Sequence, residues 1–164
     1  MYLRFLEFAH ALCASAGAAT PPLEPDANGM ITFHMILHDV AVNITSLIAG
    51  EALTAQEDAF ILVTFGDIPA GQELDVLTLL AEANFTMVGA DMPVFGMNPA
   101  TRQIVLRQRV VLAQTNAASA FEFIVRMVDL VLDWRANPML APVDGCQFDG
   151  SGDESGGLYS RRFA

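Results

Sequence analysis

Between Gly71 and Ala83 the chain reads GQELDVLTLLAEA, and its polar residues Asp75, Thr78 and Glu82 fall on one narrow stripe of a helix. Leu74, Val76, Leu77, Leu79, Leu80, Ala81 and Ala83 fill the rest of the circumference, so such a helix has to be covered on two sides. About ten residues later comes VFGMNPATRQIVLRQRVVL, Val94 to Leu112, which is again apolar along most of its length. Pro93 argues against a strand running unbroken from Thr86. Asn98-Pro99-Ala100-Thr101 is turn chemistry, with the proline presetting one turn position. The reading is therefore a short strand at about 94–97 and a longer one at about 103–111.

The rest of the chain follows from the same two periodicities. Tyr2, Phe5, Leu6, Ala9, Leu12, Cys13 and Ala16 recur at helical spacing and predict an amphipathic first helix. This pattern outweighs a secretory signal, whose apolar middle would not carry Glu7 and His10. Ala18 to Gly29 holds three prolines and breaks that helix. Gly29 to Ile48 is β-branched and aromatic, and it splits at His38-Asp39 into a tight hairpin. Gly50 to Asp58 reads as a connection and Ala59 to Phe65 as a buried strand, giving three strands of an antiparallel meander. A last helix is expected over about 116–135. Asn116 is its N-cap, Glu122, Arg126, Asp129 and Asp133 its solvent stripe, and Ala120, Phe121, Ile124, Val125, Val128, Val131 and Leu132 its apolar side. The order helix, three strands, helix, two strands, helix predicts an α+β domain over 1–137, an antiparallel β-sheet flanked by three helices. Residues 138–164 are rich in Gly, Ser and Asp, and their composition predicts an acidic disordered tail.

Composition narrows the function. A chain of 164 residues suits one domain, and 53% hydrophobic residues beside a net charge of −11 imply apolar surface hidden by self-association. Eight arginines without a lysine exclude Schiff-base chemistry and a P-loop, and the acidic balance speaks against nucleic acid and anionic membrane surfaces. No apolar run approaches the ~18 residues of a membrane span, so a soluble chain is expected. Cys13 and Cys146 are too few for a disulfide framework and read as reduced thiols in a cytoplasm.

Candidate chemistry is sparse. His10 and Cys13 sit three apart on a helix and offer a thiolate–imidazole pair, against the plainer reading of a half-exposed histidine beside a small core residue. His34, His38 and Asp39 offer metal ligands or merely a hairpin corner. Glu57-Asp58 and Glu73-Asp75 read as solvated acids at element ends. Arg102, Arg107 and Arg109 either grip an acidic partner or balance local carboxylates. Met30, Met35, Met87, Met92 and Met97 suit an adaptable apolar surface or ordinary core filling. None of this demands an enzyme, and no cofactor or metal is expected.

The stretch LLAEANFTMVGADMPVFGMNPATRQIVLRQRVVL, the element order, the small size and the acidity together resemble the class I type III secretion chaperones, the family that includes the Tir chaperone of pathogenic bacteria. The resemblance covers about 1–135. The family's L-L-x-x-N-like sequence, its following glycine and its V-x-L-like strand are matched by Leu79, Leu80, Asn84, Gly89 and Val105–Leu106, with Asn84 one residue late. Trp134 near the end of the last helix fits as well. The long tail after Pro138 and the Pro-rich loop from Thr20 to Pro25 depart from the pattern. The resemblance implies a cytoplasmic bacterial homodimer that binds the N-terminal segment of a secreted effector and presents it for secretion, with the secretion ATPase as a further candidate partner. It places the dimer contact at Leu77, Leu80, Phe85, Val94 and Phe95. An effector groove would use Phe33, Met35, Leu37, Val42 and Ile44, whose strand parity does not say which sheet face is open. Two other classes stay open here: a regulatory module that sequesters a secretion regulator, and a small enzyme using Cys13 with His10 or His34.

Overall fold

The computed structural model describes residues 3–49, 56–87, 89 and 92–137. The elements in chain order are α1 (Leu3–Ser15), β1 (Thr32–Leu37), β2 (Val40–Ala49), β3 (Gln56–Gly66), α2 (Glu73–Thr86), β4 (Val94–Met97), β5 (Ile104–Val111) and α3 (Ala117–Ala136). All strand pairs are antiparallel, and the sheet order is β1-β2-β3-β5-β4. This is the expected α+β arrangement. The tail expected to be disordered lies outside the described residues.

Local chemistry sets the turns. His38 and Asp39 both take left-handed φ, +49° and +61°, as a two-residue hairpin joining twisted strands requires. The β4–β5 connection is longer than four residues. Asn98 Oδ1 accepts from the Ala100 amide, the Asn98 amide donates to the Gln103 carbonyl, and Arg102 closes the loop at φ +64°. Asn116 caps α3 as its side chain promises, with Oδ1 accepting from the Ser119 amide at 2.8 Å.

One sheet face carries the core. Phe33 pairs with Ile44 and Met35 with Val42 across β1–β2, while Val42 pairs with Val63 and Ile44 with Ile61 across β2–β3. All six are buried beneath α1 and α3. Phe5 of α1 meets Phe33 edge-on at 6.2 Å. Phe65 is the hub at the other end, with the Phe95 ring at 5.3 Å and the Trp134 ring at 5.8 Å, both edge-to-face. Arg135 fastens the end of α3 there, donating from Nε to the Phe65 carbonyl and from Nη1 to the Asp39 carbonyl.

Three features differ from the sequence expectations. Glu57 and Asp58 are not a solvated pair at the end of a connection, because β3 begins at Gln56 and takes both into the sheet. Asp58 is fully buried, and its Oδ2 accepts from Nε (2.9 Å) and Nη2 of Arg109. Glu57 accepts from the Phe5 amide in the first turn of α1 (3.1 Å), a cap donated across the fold that also suits the positive end of the helix. Charge alone misplaces these residues, since acids in a strand look like loop until their partners are known. Helix α2 also runs to Thr86 rather than Ala83, so Phe85 is helical. On α3, Val125 and Leu132 belong to the expected apolar side but are 40% and 38% exposed.

Replacing the hub, Phe65→Ala, removes both aromatic contacts at a fully enclosed site. The expected loss is about 3–5 kcal/mol in urea unfolding. A loss below ~1 kcal/mol would show that α3 and β4 are not joined through this ring.

Candidate functional site

Helix α2 lies along the β4 edge of the sheet. Only Val76, Leu80 and Ala83 of α2 are buried. Leu74 is 78% exposed, Phe85 84% and Leu77 39%, and Val94 on the neighbouring strand is 46% exposed. The chain alone thus covers one side of α2 and leaves its second side as an apolar band. Of the five residues expected at a dimer contact, Leu77, Phe85 and Val94 are on the surface, whereas Leu80 and Phe95 point inward as core residues. The Leu74 side chain was missed, although its place among the apolar positions of the helix was the available signal.

The Asn84 side chain joins α2 to the strand beside it. Asn84 Oδ1 accepts from the Phe95 amide at 2.8 Å, and Asn84 Nδ2 donates to the Phe95 carbonyl at 3.0 Å. An edge strand offers backbone groups with no neighbouring strand to take them, and the carboxamide here substitutes for that neighbour. The asparagine of the sequence motif is therefore an edge clamp. Other motif positions have equally physical roles. Leu80 enters the core, Val105 and Leu106 are buried in β5, and Gly89 holds φ +150°, where an added Cβ would stand 3.0 Å from the Met92 side chain.

Phe33, Met35, Leu37, Val42 and Ile44, expected to line an effector groove, do share one sheet face, but it is the covered one. Leu37 is half-buried at the margin and the other four are buried under the helices, so within this subunit the side chains that strand parity grouped together lie on the covered face. The alternate residues Thr32, His34 and Ile36 face outward, with Ile36 69% exposed. Strand β1 pairs only with β2 among the described residues, which leaves its other edge free. A shallow cavity of about 260 Å³ opens between β5 and the start of α3, floored by Ile61, Val110 and Phe123 and rimmed by Gln108, Gln114 and Ser119.

The candidate catalytic groups are not brought together. Cys13 is buried, while His10 is exposed with Nδ1 2.9 Å from Thr20 Oγ1, and His34 lies on the outward side of β1. Among the described residues no three His, Cys, Asp or Glu side chains gather as a metal site, and no helix is long and apolar enough to cross a membrane.

Against this geometry, the family model of the Tir chaperone protein (CesT) family matches residues 9–135. The chain belongs to the Tir chaperone protein (CesT) family. Membership bears out the resemblance read from the motif, and makes this a member of a chaperone family. Two solved structures share its fold: the ExsC–ExsE complex, at 15% identity and TM-score 0.56, covering 84% of this chain and 95% of that one; and the HopA1–SchA chaperone–effector complex, at 12% identity and TM-score 0.55, covering 82% and 94%. No curated protein matches the chain significantly in sequence.

Replacing the clamp, Asn84→Ala, leaves two backbone groups of β4 without these partners. The expected cost is about 1–3 kcal/mol, with the Phe95 amide exchanging with solvent far faster than the amides of β2 and β3. Unchanged protection at Phe95 would show that the clamp does not hold the edge.

Proposed function

We propose that this protein is a type III secretion chaperone that works in the bacterial cytoplasm as a homodimer. It holds the N-terminal segment of a secreted effector extended and hands it to the secretion machinery, without a catalytic step. The observation that carries the reading is the exposed apolar band of Leu74, Leu77, Phe85 and Val94 in a member of a chaperone family. The HopA1–SchA structure, alike in fold, is a chaperone–effector complex.

Pairing two copies through α2 and β4 covers the second side of α2 and removes an aggregation hazard from an acidic, apolar chain. The client then meets the free edge of β1, where an extended segment adds as a further strand, with Ile36 beside it as an apolar contact. The cavity between β5 and α3 is a recess of a size to seat one large apolar side chain of the same client. Because an unfolded segment must be ordered as it binds, affinity comes from many such contacts rather than from one.

For dimerisation, Leu77→Asp and Phe85→Asp are the informative changes, since both side chains lie on the surface and the subunit should stay folded. Light scattering is expected to read a folded monomer; a dimer of unchanged mass in both variants would refute the α2–β4 interface. Leu80→Asp is a poorer choice, because a charge in the core would unfold the subunit for unrelated reasons. For the client, the tagged protein purified from its native host should carry a companion in fixed ratio whose N-terminal segment resists proteolysis. Ile36→Asp should weaken that companion by roughly ten- to a hundredfold, the worth of one buried isoleucine.

A further inference from the structure

Arg107 and Arg109 stand two residues apart on β5 and therefore point to one side of the sheet, away from α1 and α3. Their cross-strand neighbours on β3 are Leu62 and Phe60, both half-buried. The Arg107 guanidinium lies 5.0 Å from the centre of the Phe60 ring, and Arg109 commits Nε and Nη2 to buried Asp58 while remaining 44% exposed. Among the described residues no carboxylate pairs with Arg107. On a chain of net charge −11, this face combines two cations with two apolar side chains. What fits it is an acidic segment that carries an aromatic residue.

The chain contains such a segment beyond α3. From Asp144 to Glu154 the sequence is DGCQFDGSGDE, with Asp144, Asp149, Asp153 and Glu154 around Phe148 and no basic residue before Arg161. Its reach is sufficient. Arg135 fixes the end of α3 beside the end of β3, and Leu62 lies four residues back along β3 from Gly66, about 13 Å at strand spacing. Asp149 follows Asn137 by twelve residues, which span up to about 40 Å when extended. That covers the distance along β3 plus the roughly 10 Å needed to pass from one face of the sheet to the other.

We propose that the segment Asp144–Glu154 docks on the open face of β3 and β5 of its own chain, with its carboxylates at Arg107 and Arg109 and Phe148 against Phe60 and Leu62. Each exposed ion pair is weak, but the tether holds the segment at an effective concentration on the order of millimolar. The tail then acts as a built-in competitor for anything acidic or apolar that approaches this face, and it lets go as salt rises. The inference rests on the charges and the reach of this chain, and does not depend on the chaperone reading.

The test uses the full chain in a Cys13→Ala background with a nitroxide on Cys146. At low salt the label is expected to broaden the amide resonances of Phe60, Leu62, Arg107 and Arg109. The broadening should fall severalfold in Arg107→Gln, in a tail variant with all four acids as amides, and in about 0.5 M salt, where the Debye length is roughly 4 Å. Arg107 is exposed, so its substitution should leave the fold intact, as the unchanged resonances of α1 would show. Three results would each overturn the proposal: no broadening on this face, broadening that ignores both charge neutralisations, or broadening found only when label and isotope are on different subunits.

Discussion

The carboxamide of Asn84 ties helix α2 to the edge of the sheet through two hydrogen bonds to the Phe95 backbone. Helix α2 contributes only Val76, Leu80 and Ala83 to the core, too little apolar contact to fix its rotation about its own axis. The two hydrogen bonds to Phe95 supply that missing coordinate. With Asn84 turned to the strand, Leu80 and Ala83 face the core, Leu77 lies beside the clamp at the margin, and Leu74 and Phe85 face away. The apolar band is a geometric consequence of where one amide points, and a different rotation of the helix would bury it against the sheet.

The sheet works under a related constraint. A five-stranded sheet with α1 and α3 on one side needs apolar residues on alternate positions only, and β1 obeys this with Phe33 and Met35 inward and Thr32, His34 and Ile36 outward. In β5 the rule fails, since Ile104, Val105 and Leu106 are all buried in succession. There Val105 is buried on the second face as well, next to the β4 edge that α2 clamps, while Arg107 and Arg109 further along the same side stay exposed. Leu74, Leu77, Phe85 and Val94 gather as exposed apolar residues at the α2 side, while Leu3, Met30, Ile36, Val125 and Leu132 are exposed singly elsewhere.

Much of this was legible in the sequence. The hairpin at His38-Asp39, the short β4, the cap at Asn116 and the order of elements follow from period, turn chemistry and capping, which act within a few residues. What was illegible depends on partners distant in the chain. Asp58 looked solvated because Arg109, 51 residues away, was invisible as its partner. Phe33, Met35, Val42 and Ile44 were grouped correctly by parity, yet the side on which α1 and α3 pack is a tertiary choice that parity does not encode. Leu80 and Phe95 were assigned outward because an apolar helix shows which positions are apolar and not which half of them its own sheet will take.

The cap on α1 carries a consequence in time. Glu57 reaches the Phe5 amide from 52 residues downstream, so while the N-terminal helix is being synthesised its first turn has no such acceptor. Until β3 has left the ribosome and paired with β2, α1 is a short amphipathic segment with a frayed start, marginal by itself in water. Helix α1 is therefore made before the acceptor that secures its first turn, and Phe5, Phe8 and Leu12, buried in the finished fold, lack the β3 side of their cover until that strand is in place.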